Sequence, residues 1–330
     1  MEELLKNVEE ELKKQGIRNF GYLHVRTLEE SRDYFAERIA RGLTTTFEEN
    51  DLDKKVDLSA SLPGAKTILS VAVPYYYDSY MASGGYFSLY TQGRDYHLVV
   101  REILEKVAGL FRAKGGQAEV FADNNALPER LIAYMAGVGE IGRNHLLITP
   151  DYGSYVFLGE ILTDLELPAT ERDPAKIQDY AVCKDCRNCL KACPTQILGE
   201  RYYDTKRCMS YITQNKTVED EDFRLFKGRL FGCDTCQRAC PLNRGISTTS
   251  IADFTPRPYM RHPDLLAILN LTNAEFRPYQ ETSSGWRGKK LLQRNALVEL
   301  MRQKVPVEGE KLPTEYLREH WNRLQNIFIL

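Results

Sequence analysis

Two cysteine runs decide how this chain is read: Cys183-Lys184-Asp185-Cys186-Arg187-Asn188-Cys189-Leu190-Lys191-Ala192-Cys193-Pro194 and Cys233-Asp234-Thr235-Cys236-Gln237-Arg238-Ala239-Cys240-Pro241. The first has the full C-x2-C-x2-C-x3-C-P spacing of a bacterial ferredoxin half. The second lacks its opening cysteine, and Cys208 stands alone between the runs. These positions use all 8 cysteines of the chain.

Two [4Fe-4S] cubanes need as many thiolates as the chain has cysteines. In two-cluster ferredoxins the cysteine before the proline binds the other cluster. That rule places one cluster on Cys183, Cys186, Cys189 and Cys240. The other falls to Cys193, Cys233, Cys236 and, by elimination, Cys208. Zinc is the competing reading, because C-x2-C pairs also bind it. Zinc ribbons rarely add a third cysteine at this spacing and a fourth before proline. Disulfides are disfavoured because no export signal opens the chain, so a reducing cytoplasm is expected.

At 330 residues, with 43% hydrophobic and 27% charged residues, the composition is that of an ordinary globular protein with room for more than one domain. The net charge of −2 gives no global basic field, so any nucleic-acid contact must be a local patch. No apolar run is long enough to span a bilayer.

Upstream of the cysteines, Leu4, Leu5, Val8 and Leu12 line one face of a helix over residues 2–15, stopped by Gly16. A short strand at 20–25 and a helix at 28–41 follow. Residues 44–55 form a polar loop in which Lys55, on the residues alone, reads as a solvated lysine. Thr67 to Val73 is a buried strand, and the tyrosine-rich segment from Tyr75 to Gln92 is a loop able to wall a pocket. A helix over 94–113 leads to a second buried strand at 118–122. Pro128 opens a helix over 129–137, and Gly137 to Gly142 is a turn. Residues 146–149 and 155–162 read as two strands of one hairpin around Tyr152-Gly153. Beyond the cysteines, helices are expected over 208–214, 263–280 and from Pro313 onward.

Clusters carry electrons, so the upstream region of the chain should hold their acceptor. It shows neither a nucleotide fingerprint nor Asp-x-His-x-x-Gly, the motif that supplies a histidine to cobalt in one cobalamin-binding class.

The whole chain resembles the epoxyqueuosine reductase family. The matching stretches are Gly93-Arg94-Asp95-Tyr96-His97, Asp123 through Arg130, Ala136-Gly137-Val138-Gly139 with Arg143-Asn144, Tyr152-Gly153-Ser154-Tyr155, both cysteine runs with Cys208, and Gly285 to Ala296. The resemblance implies an α/β (α+β) cobalamin-binding catalytic domain over 1–166 and a ferredoxin-like two-cluster domain over 167–245. It further implies a helical segment over 246–330, shorter than the HEAT-like repeats that often end the family. It implies cobalamin held base-off with no protein histidine ligand. An external low-potential donor sends electrons through the clusters, and epoxyqueuosine in the anticodon loop of tRNA is reduced to queuosine.

Asp123 matches the proton donor; a helix or turn cap is its alternative role. Tyr96 and His97 match a stretch that bonds substrate or donor, although a helix-borne histidine is as often structural. Lys55, Arg130, Arg143, Asn144, Ser154, Tyr211 and Gln214 are the further cofactor contacts expected alongside Asp123. The basic run Arg287, Lys289, Lys290 and Arg294 is expected to meet tRNA phosphates, with a solvated helix face as the alternative. The enzyme is expected to be a monomer with no membrane contact. A dehalogenase-like reductase acting on a small molecule, or a non-catalytic electron carrier, are the competing functions.

Overall fold

A computed structural model describes residues 1–78, 82–199 and 201–328; residues 79–81 of the tyrosine-rich loop lie outside the described residues. Among the described residues the strands are β1 (Asn19–His24), β2 (Thr67–Pro74), β3 (Tyr86–Phe87), β4 (Ala118–Phe121), β5 (Glu140–Ile141), β6 (Leu147–Ile148), β7 (Val156–Thr163) and β8 (Arg229–Phe231). Two compact units result, each drawn from separated stretches of chain.

The first unit comprises Met1–Tyr76, His97–Thr205 and Cys236–Ala252. Its frame is an antiparallel sheet in the order β1-β2-β7-β4. Every residue of β2 is buried, as its unbroken run of β-formers predicts. The helices Glu2–Lys14 and Glu29–Ala40 form where expected, the first burying Leu4, Val8 and Leu12. Leu131, Ile132 and Met135 of helix Glu129–Met135 pack on Leu23, Ile68 and Leu162 of the sheet. Gly137 ends that helix at φ +80°, and a Cβ on Gly139 would lie 2.6 Å from the Ile148 carbonyl oxygen.

Two expectations fail here. The hairpin around Tyr152-Gly153 does not form. β6 pairs with β5 instead, and β7 is drawn between β2 and β4, leaving a single bridge from Thr149 to Gly153. Long-range pairing on both edges of β7 outweighs the local turn. β4 is also not a buried strand but the sheet's edge, with Glu119 exposed between Ala118 and Val120.

The second unit comprises Tyr77–Tyr96, Lys206–Thr235 and Asp253–Leu330. Parallel β3 and β8 lie against a helical core containing Phe223, Phe226, Phe231, Leu292, Leu297 and Leu317. The helix expected over 263–280 is two, Leu265–Leu269 and Asn273–Gln280. Thr272 and Glu275 form a capping box that starts the second afresh. Arg94 and Asp95 stay outside the helix Tyr96–Ala113, their amides donating to the Asp253 and Glu281 carbonyls. Among the described residues no helix is long and apolar enough to cross a membrane.

Candidate functional site

Asp123 sits where β4 leaves the sheet. It and Asn124 adopt φ of +53° and +50°, a left-handed conformation that Asp and Asn tolerate better than most residues. The Asp123 amide donates to Glu129 Oε1 at 2.9 Å, and Asn125 Nδ2 donates to the same oxygen at 2.9 Å. Glu129, at the start of the following helix, thus fixes the loop. The carboxylate of Asp123 has Oδ2 3.3 Å from His97 Nε2.

Burial, then the neighbouring Asp123 charge, pushes the Glu129 carboxyl up to about 7. Behind it on β7 lies Glu160, fully buried, accepting from Ser70 Oγ at 3.2 Å. Burial, then Glu129, raises Glu160 well above the ordinary carboxyl value. Sequence reading missed both. The signal for Glu160 was a charge inside an otherwise apolar strand; Glu129 looked like an ordinary first-turn acid.

Asp123, Lys55 and Arg130 line a cavity of 620 Å³, together with Tyr34, Arg38 and Tyr203, a volume typical of small-molecule sites. Lys55 corrects the solvated-lysine reading. It is 8% exposed, because the short helix Leu52–Val56 turns it inward, and its ammonium lies 5.3 Å from the Phe35 ring centroid. Burial lowers its pKa, and Arg38 and Arg130 lower it further against the pull of Glu48. Arg38 is itself neutralised by Glu48 at 3.0 Å. Arg130 donates to the His145 carbonyl at 2.6 Å and to Tyr203 Oη at 3.4 Å. His145, unforeseen in the sequence, stacks on Tyr203 at 4.2 Å. Burial, then Arg130 and Arg38, hold it down to about 3, so it is neutral.

Other expected contacts lie elsewhere. The Arg143 amide donates to Cys183 Sγ at 3.3 Å, and its guanidinium bonds the Lys184 carbonyl. Asn144 is buried and accepts the Leu146 amide, closing the turn between β5 and β6. Ser154 is buried in a clasp with Asn243 and Gln237. Gln214 bonds Tyr90 Oη and the Ser210 carbonyl within the second unit, and Tyr211 sits in the same short helix, Met209–Gln214.

Within the first unit, Cys183, Cys186, Cys189 and Cys240 are close enough to sense one another. Burial, then Cys183 and Cys240, push the Cys189 thiol up to about 11. Burial leads the upward shift of Cys240, with Cys183 and Cys186 adding to it. The mutual effect shows that these sulfurs lie near one another; a bound cluster would take each as a thiolate and release its proton. Among the described residues no three His, Cys, Asp or Glu side chains converge on a single-ion site. A cubane asks for something different, since each thiolate binds its own iron. Cys193 lies 3.6 Å from Thr195 Oγ1. In the second unit Cys208 caps the helix Met209–Gln214, and Cys233 follows β8.

The basic run divides. Trp286 is 54% exposed, Arg287 lies over its ring at 4.6 Å, and Lys290 is exposed. Lys289 is half-buried, its ammonium 3.4 Å from the Leu271 carbonyl. Arg294 is 0% exposed, with its guanidinium on the Thr213, Asn215 and Lys216 carbonyls and on Asn295. It lies on the buried face of helix Lys289–Arg302 and cannot reach a phosphate.

A family model described as epoxyqueuosine reductase QueG matches residues 55–124, and one described as a 4Fe-4S double cluster binding domain matches residues 182–243. An epoxyqueuosine reductase of Bacillus cereus is 34% identical over 299 residues, covering 86% of this chain and 77% of its own length. A crystal structure of epoxyqueuosine reductase with an epoxyqueuosine-modified tRNA-Tyr stem loop aligns with a TM-score of 0.87 at 30% identity, over 98% of this chain and 90% of that one. The Bacillus subtilis enzyme, solved with its catalytic aspartate loop swung out of the active site, aligns with a TM-score of 0.85 at 29% identity, over 98% and 90%.

Proposed function

The chain belongs to the epoxyqueuosine reductase family, and from that premise we propose that it reduces epoxyqueuosine to queuosine in the anticodon loop of tRNA with Asp123 as the proton donor. The observation that carries this is the placement of Asp123: a carboxyl on a loop fixed by Glu129, facing a cavity, with His97 3.3 Å away. A relative whose catalytic aspartate loop moves supports the assignment.

Removing an epoxide oxygen as water takes two electrons and two protons. The carbon–oxygen bond yields more readily if the departing oxygen is protonated as it leaves. Asp123 supplies that proton. His97 orients the carboxyl and passes the next proton to it, and Tyr96 bonds the substrate.

The cavity suits cobalamin. Lys55 and Arg130 offer cationic donors to a group bearing amides and a phosphate, and Tyr34 and Tyr203 offer flat apolar faces. If bound there, base-off and without a protein histidine ligand as the family resemblance implies, cobalamin would supply a low-potential nucleophilic metal for the reduction. Arg143, Asn144 and Ser154 act by shaping the chain around Cys183 and Asn243. Tyr211 and Gln214 follow Cys208 toward the electron path.

Cys183, Cys186, Cys189 and Cys240 would hold one cluster and Cys193, Cys208, Cys233 and Cys236 another, and the pair would supply the route for electrons from an external low-potential donor. Arg287, Lys289 and Lys290 contact the RNA; Arg294 does not.

The test is anaerobic incubation of the iron-loaded protein with cobalamin, a low-potential reductant and an epoxyqueuosine-bearing stem-loop. Conversion of the nucleoside to queuosine is expected. An intact epoxide after complete cluster loading overturns the reading.

A further inference from the structure

Cys233 leaves β8 beside a buried arginine. Arg229, 6% exposed, directs Nε at Cys233 Sγ from 3.1 Å. Its other nitrogens are fixed: Nη1 donates to the Leu225 and Phe226 carbonyls at 3.1 and 2.9 Å, and Nη2 donates to Thr235 Oγ1. The guanidinium carbon lies 5.9 Å from the Tyr86 ring centroid, where β3 pairs with β8. Thr235 Oγ1 accepts from the arginine and from the Cys233 thiol, whose sulfur lies 3.4 Å away; once that sulfur is a thiolate on iron, the threonine hydroxyl can turn to donate to it. A buried cation therefore aims a proton at this sulfur, and a hydroxyl lies within its reach. That arrangement suits a sulfur that accepts, as a thiolate on iron does and a neutral thiol does poorly.

We propose that Arg229, aided by Thr235, raises the reduction potential of the [4Fe-4S] cluster bound by Cys233 and so sets it apart from the other cluster. Reduction adds one electron, and so one negative charge, to a cluster already carrying four thiolates. A fixed positive charge and hydrogen bonds at a ligand sulfur favour the reduced form, more strongly where water is excluded. At the other cluster, Cys183 receives the neutral Arg143 amide at 3.3 Å. The Cys233 cluster thereby becomes the better electron acceptor, giving electron flow through the protein a direction. Arg229 tunes and positions; it does not touch substrate.

The inference rests on the two-cluster reading, and its readout is independent of turnover. Reductive titration of the iron-loaded protein, followed by electron paramagnetic resonance of the reduced clusters, gives both midpoints. In Arg229→Gln one midpoint is expected to move to a more negative value while the other stays. Arg229→Lys, which keeps charge without the fork, is expected to fall between. Thr235→Val removes one hydroxyl and should shift the same midpoint the same way by less. If Arg229→Gln does not assemble clusters, Thr235→Val decides. Unmoved midpoints, or equal movement of both, in variants with full iron and sulfide content overturn the proposal. A parent protein that shows the shift yet leaves epoxyqueuosine intact would overturn the proposed function alone.

Discussion

His97 Nε2 lies 3.3 Å from Asp123 Oδ2, a contact between the start of one helix and the loop after an edge strand. It couples two residues separated by a whole helix and strand, and fixes the direction of a partly exposed carboxylate. Asp123→Asn keeps the shape and the acceptor for the Asn124 amide at 2.7 Å but removes the transferable proton. Turnover of the RNA substrate should fall by about 10²- to 10⁴-fold, with thermal stability changed by no more than about 0.5 kcal/mol, as for other exposed positions. A single-turnover assay alongside thermal melts checks both. An Asn variant with parental rate removes Asp123 from the chemistry.

The glutamates behind the loop make a different prediction. Glu129 titrates at about 7 in the folded protein against an ordinary 4.5, and Glu160 is raised as well. The folded state therefore holds protons that the unfolded chain releases. The stability this provides is complete below the unfolded value and is lost as pH rises through about 7. Glu160→Gln keeps the oxygen that accepts from Ser70 and cannot ionise. Its melting temperature should fall less steeply than the parent's between about pH 5 and about pH 8. Parallel slopes would mean the pair does not titrate in this window.

What the sequence revealed and what it hid divide along a physical line. The helix faces, the β2 strand and the Gly137 turn are local patterns, and they form as read; the cysteine spacing is local too, and a double-cluster family model covers it. The position of Asp123 on a loop just past a strand was also legible in the sequence. Failures came where distant chain decides. β7 looked like half of a hairpin because its partners lie far off in sequence. Lys55 looked solvated because its burial depends on the packing of helix Leu52–Val56 against distant chain, Phe35 among it. Arg294 looked like part of a basic patch, but helix Lys289–Arg302 buries the face it occupies.

Lys55 offers a cofactor test separable from folding. Its burial disfavours its own charge, so Lys55→Met should not lower the melting temperature of the protein without cobalamin. If the ammonium binds the cofactor, losing a charged hydrogen bond weakens cobalamin by about 10- to 100-fold. Equilibrium titration followed by the cofactor's visible absorption measures this. Unchanged affinity would return Lys55 to a packing role.

The basic run separates RNA contact from scaffolding within one short stretch. Lys290 is exposed at the start of helix Lys289–Arg302, whereas Arg294, one turn on, binds the Thr213, Asn215 and Lys216 carbonyls. Lys290→Ala should weaken stem-loop binding and reduce the slope of log affinity against log salt by about 1, while leaving the melt unchanged. Arg294→Met should do the reverse. It strands those carbonyls in the core and costs on the order of 2–4 kcal/mol of stability, yet the molecules that remain folded bind RNA with the parental salt slope. Fluorescence anisotropy across a salt series, paired with urea unfolding, resolves the two. A reduced salt slope in Arg294→Met would show that the helix turns this residue outward to the RNA, contrary to its buried position here.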